Sequence, residues 1–177
     1  YMGEIAFEKF SKYYYPSVIH FWKNMNLIGP RLIKDRQKIK IKDMKITWYC
    51  ANKNRGKDTF VFLFEQNNKK VLFALDDVYE LELLPEFFDL DLLIHECGWF
   101  DYKPNGEKLF FDPEKRWSED IKFEETIQRI KKLKPKETIL MNLEEIYARS
   151  YEDYCKLEKK YSDLNIKFAF DGMNIEV

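Results

Sequence analysis

Two carboxylates close one of the most apolar stretches of the chain. Val71-Leu72-Phe73-Ala74-Leu75 runs directly into Asp76-Asp77, and a second apolar run, Leu92-Leu93-Ile94, leads into His95-Glu96-Cys97. Oxygen ligands at strand ends suit a hard divalent cation, so Asp76, Asp77 and Glu96 are candidates for holding Mg²⁺ or Mn²⁺. The same placement suits an Asp that caps the turn after a buried strand. Imidazole is scarce: the chain has two histidines, His20 and His95. His20 stands in Val18-Ile19-His20-Phe21-Trp22, an apolar setting that fits a hydrogen-bonded core histidine. A di-zinc centre cannot be filled from two distant histidines and one Asp. Cys50, Cys97 and Cys155 are odd in number and lack CxxC spacing, which reads as reduced thiols in a cytoplasmic protein.

The elements that must position these groups follow from periodicity. Ile5, Phe7, Phe10 and Tyr14 recur at roughly helical spacing over residues 3–14, and Pro16 stops the pattern. Residues 17–36 are irregular, with a break at Gly29-Pro30. Lys38-Ile39-Lys40-Ile41-Lys42 alternates as a strand with one wet face does, and Ile46, Trp48 and Cys50 repeat the alternation. Phe60-Val61-Phe62-Leu63-Phe64 and residues 71–75 are almost wholly apolar and predict internal strands covered on both faces. Leu92-Leu93-Ile94 and Thr138-Ile139-Leu140-Met141 read as further buried strands. A helix is expected over 119–133 with Phe123, Ile127 and Ile130 on one stripe, ended by Pro135. Ser150 and Asp153 form a capping box that starts a helix over 151–161. Asp171-Gly172 predicts a hairpin between strands 166–170 and 173–177. Strands first, then strands alternating with helices, describe an α/β layered fold.

The 177 residues suit one domain, and 45% hydrophobic with 17% aromatic content supplies a large core. Thirty basic and 31 acidic side chains nearly cancel, which speaks against an electrostatic funnel for nucleic acid or a membrane surface. The richest basic stretches, Arg31 to Lys38 and Lys131-Lys132-Leu133-Lys134, read as solvated faces. No apolar run is long enough to span a bilayer and no signal-peptide pattern opens the chain. Tyr1 precedes Met2, the mark of a cloning remnant or of a cut from something longer.

Residues 71–77, 91–97, 134–143 and 168–177, in that order and spacing, resemble the C-terminal half of the metallo-β-lactamase-fold hydrolases. The resemblance covers about residues 32–177 and is similar to phosphodiesterase-like members, including those that open phosphoribosyl cyclic phosphates, and to RNase Z. It implies an αββα sandwich, incomplete at its N-terminus if the chain is a fragment. Asp76 matches the family's metal-bridging Asp, whose two oxygens serve two cations. Asp91-Leu92-Leu93-Ile94-His95-Glu96 matches a segment whose His stands behind the metal ligands, a supporting place implied for His95, with Glu96 as its partner and Asp77 alongside. Leu140-Met141-Asn142-Leu143 matches the family's Leu-Thr-His-Ile, with Asn142 where the last ligating His belongs. The His expected after the strand ending at Cys50 is replaced by nearby Asn52 and Asn54, and the Gly-His-Ser/Thr element before Phe123 by Asp120. The His-x-His-x-Asp-His signature occurs nowhere in the chain.

The resemblance implies phosphodiester hydrolysis with Zn or Mn as cofactor, provided the missing His cluster lies upstream of Tyr1. The competing expectation is a degenerate member that keeps the fold and acts as a binding or assembly module. Truncation accounts for the missing signature but not for Asn142, which favours the module. The doubly apolar strands also call for a second layer, expected from another copy or a partner covering one sheet face.

Overall fold

The two apolar runs become neighbouring strands in the middle of a seven-stranded mixed sheet. The computed structural model describes residues 2–13, 24–25, 32–52, 59–109 and 121–177. A short parallel pair, β1 (Met2–Gly3) and β2 (Leu32–Ile33), stands beside helix α1 (Glu4–Tyr13). The main sheet has the order β3 (Lys38–Ile41), β4 (Met44–Cys50), β5 (Phe60–Gln66), β6 (Lys69–Ala74), β7 (Leu92–Glu96), β8 (Glu137–Met141) and β9 (Ile166–Phe168). From β3 to β6 it is an antiparallel meander. From β6 to β9 every pair is parallel, with helix α2 (Phe123–Leu133) between β7 and β8 and helix α3 (Tyr151–Lys160) between β8 and β9. Parallel neighbours require such crossovers because a tight turn cannot return the chain in the same direction.

Alternation sorts each strand's side chains between two faces. On the inner face Val61, Leu63, Leu72, Ala74, Leu93 and Leu140 meet Phe123, Ile127, Ile130 and Leu133 of α2 in one core. The spacing of those α2 residues gives the single apolar stripe that the sequence predicts. On the outer face Phe60, Phe62 and Phe64 are half-buried and pack against a smaller core of Ile33, Ile46 and Trp48. Phe64 meets Phe73 edge-on, ring centroids 6.4 Å apart. Both faces of the central strands are therefore apolar, as their sequences require.

The N-terminal ends of the parallel strands are tied by one carboxylate. Asp91 accepts from the Lys70 backbone N–H at 2.9 Å and from Lys136 Nζ at 2.8 Å, with Lys69 Nζ at 3.5 Å. Hydrogen bonds from Lys136 and the Lys70 backbone hold its carboxyl at about 2, well below the usual range.

Two sequence expectations are corrected. The helix expected from residue 119 begins at Phe123, since Ile121 and Lys122 run extended against Trp99: Trp99 N–H donates to Ile121 O and Phe123 N–H to Trp99 O, each at 3.0 Å. The hairpin does not form. Gly172 makes its turn at φ 85°, but β9 ends at Phe168 and residues 173–177 are not a strand. Glu158 Oε1 takes the Phe168 N–H at 2.9 Å, using an edge group that a returning strand would need. The capping box is present: Asp153 N–H donates to Ser150 Oγ at 3.3 Å, and Ser150 N–H to Asp153 Oδ2 at 3.1 Å. No helix among the described residues is long and apolar enough to cross a membrane.

Candidate functional site

In an open α/β sheet, sites form outside the carboxyl ends of the parallel strands, where successive loops converge. Here the loops after β6, β7 and β8 meet. Asp76, Glu96, Gly98, Trp99, Asn142, Glu144 and Tyr147 line a cleft of about 40 Å³. That admits a water or two and is far below the roughly 300 Å³ at which small-molecule pockets begin.

The residues singled out from sequence sort into three groups. Asp76 and Asn142 come together. Asn142 Nδ2 lies 2.7 Å from Leu75 O and 3.5 Å from Asp76 Oδ1. Because Leu75 O can only accept, the amide must present its NH₂ side there. Asn142 and Asp77 both adopt left-handed backbone, φ 58° and 51°, a conformation that Asn and Asp tolerate better than most residues. Asp76 is exposed at the cleft and Asp77 half-buried.

Glu96 and His95 stand behind the turn. Glu96 is 3% exposed, and its Oε1 accepts the Val78 N–H at 3.1 Å. His95, 1% exposed, lies outside the cleft lining, with Nδ1 2.7 Å from Glu96 O. That contact makes Nδ1 the donor and leaves Nε2 as acceptor toward Arg129 Nη1, 3.4 Å away. Burial, with the Arg129 charge beside it, takes the imidazole pKa down to about 3, so the ring is neutral. Cys97 is fully buried and burial pushes its thiol up, which keeps it protonated and unreactive.

Asn52 is 1% exposed and reaches the same turn from the end of β4, donating Nδ2–H to Asp77 O at 2.5 Å. His20, Asn54 and Asp120 lie outside the described residues. Sequence reasoning missed Arg129, whose guanidinium donates to Val78 O at 2.8 Å and Tyr79 O at 3.2 Å. Its position flanks the apolar stripe and is half-buried, and in the sequence it is one charged residue among several on this helix. Sequence reasoning also missed Arg149, which stacks 3.8 Å over Phe100 and donates to Tyr102 O at 3.0 Å.

No sequence-family description matches the chain, and no curated protein matches it in sequence. Solved structures do. The metallo-β-lactamase fold protein YhfI from Bacillus subtilis superposes with a TM-score of 0.52 at 14% identity, covering 86% of this chain and 60% of its own. The fold is that of the metallo-β-lactamases. A diphosphatase from the PhnP family matches with a TM-score of 0.55 at 12% identity, over 97% of this chain and 55% of that one. Zn²⁺-bound PqqB from Methylobacterium extorquens matches at 0.55 and 10%, over 83% and 55%. At these identities the likeness is one of fold. The chain spans 55% to 60% of the length of these three structures.

PqqB, one of these structures, is Zn²⁺-bound, which makes zinc the ion against which this donor set is weighed. Zinc takes thiolate, imidazole or carboxylate lone pairs. Asn142 offers N–H groups, one Glu96 oxygen already accepts from Val78, and Cys97 stays a thiol. Among the described residues no group of three or more His, Cys, Asp or Glu side chains is arranged to hold a metal. These residues do not fit zinc by themselves.

Proposed function

We propose that this chain is a binding or assembly module on a metallo-β-lactamase fold, without a complete metal centre among its own residues. One observation carries the reading: Asn142 turns its amide N–H groups toward Leu75 O and Asp76, where a ligand would have to present a lone pair. The three free thiols fit the reducing cytoplasm read from the sequence. A partner laid on the outer sheet face is part of this reading, supported by the apolar Phe60, Phe62 and Phe64.

Calorimetric titration of the parent and of Asn142→His with zinc chloride tests it. The module reading expects no saturable zinc uptake by the parent and no phosphodiesterase activity on a chromogenic diester. Micromolar zinc binding by Asn142→His alone would mean that the remaining ligands are in place and the site is latent; no gain over the parent would end the latent-site idea. The second reading, phosphodiester hydrolysis with a His cluster supplied from outside these residues, draws on Asp76, which stands exposed at the cleft. Saturable zinc binding and diester cleavage by the parent would favour it.

A further inference from the structure

Four backbone oxygens in the turn from Leu75 to Tyr79 accept hydrogen bonds from side chains that arrive from three separate parts of the fold. Asn142, after β8, serves Leu75 O; Asn52, after β4, serves Asp77 O; Arg129, on α2, spans Val78 O and Tyr79 O. The Val78 N–H, in turn, donates to the Glu96 carboxylate. Val78 is fully buried, so both of its backbone groups are held by ionisable side chains of opposite sign.

Several backbone oxygens gathered at one turn are what a hard cation ordinarily collects. Here each of these oxygens faces an N–H instead. Guanidinium and amide NH₂ groups have no lone pair for a metal, so the arrangement disagrees with the ion that the fold leads one to expect. Asn52 sharpens the point: its Oδ1 is buried with no hydrogen-bond partner, so the position is used for its donor. Arg129 suits the role because its planar fork reaches two carbonyls at once, and Glu96 balances its charge in the interior.

We infer that Arg129, Asn52, Asn142 and Glu96 form a side-chain staple that holds the Asp76 turn in place without a metal, with the Arg129 guanidinium as its fixed positive charge. The staple sets the left-handed backbone of Asp77 and, with it, the position of the Asp76 carboxylate. It stands on hydrogen bonds alone and is independent of what the module binds.

The test reads backbone amide exchange by NMR and thermal midpoints by scanning calorimetry, on the full chain in EDTA and in zinc chloride. The parent should have the same midpoint in both. Arg129→Met should speed exchange at Val78 by about tenfold or more, since local opening is then no longer opposed by the fork. Arg129→Lys should fail to restore it, because an ammonium cannot span two carbonyls in fixed geometry. Asn52→Ala and Asn142→Ala should speed exchange within residues 75–79 and leave α3 unchanged; they carry the test if the Arg129 variants do not fold. A parent midpoint that falls in EDTA, or unchanged exchange at 75–79 in Asn52→Ala and Asn142→Ala, would overturn the inference.

Discussion

Asp91 and Asp76 are both carboxylates at strand ends, and Asp91 is held by the ammonium groups of Lys136 and Lys69. Its folded pKa of about 2 lies below the unfolded value of about 3.9, so it binds protons more weakly in the native state. Its contribution is therefore complete above about pH 4 and is lost as pH falls toward 2. Asp91→Asn should flatten the loss of stability over that window, measured by urea unfolding at a series of acidic pH values. A pH profile identical to the parent would show that Asp91 does not carry this dependence. At this scale the sequence was readable where a residue acts on its near neighbours, as Ser150 does on Asp153. It was unreadable where partners are distant: Asn52 meets Asp77 across 25 positions, and Arg129 meets Val78 across 51.

Elements follow the same division. The apolar strands and the α2 stripe could be read because periodicity is a property of consecutive residues. The start of α2 could not, because it is fixed by the strand segment it crosses. Gly98 has φ 81°, and a Cβ there would lie 2.5 Å from Ile121 O and 2.9 Å from the Lys122 carbonyl carbon. The close pass of these two segments lets Trp99 take up the backbone of Ile121 and Phe123, which keeps Ile121 and Lys122 out of the helix. Gly98→Ala should cost about 1–3 kcal/mol from strain alone, and more if the two segments separate. Chemical denaturation measures it, and a variant as stable as the parent would refute the close-packing argument. The absent hairpin has the same kind of cause, since Glu158 reaches the β9 edge from another element.

At the scale of the molecule, the sheet protects its edge better than its outer face. Lys38 and Lys40 stand exposed on edge strand β3, a placement that discourages pairing with another strand. The outer face presents half-buried Phe62, Phe64, Val71 and Phe73. The expectation of a further layer, from a second copy or a partner, is checked by light scattering and sedimentation of the purified chain. A dimer supports it, and a monodisperse monomer at all concentrations counts against a second copy. The fold was legible because the order and spacing of its strands survive where ligands do not. The site was less so, because each ligand position had to be judged by what its replacement touches. The turn at 75–79 has one more consequence, for synthesis. Its donors are spread along the chain at 52, 129 and 142, so a ribosome makes the turn long before Arg129 and Asn142 exist. The nascent turn must wait, open and hydrated, until β8 has emerged, and this corner of the protein sets only when most of the chain is out.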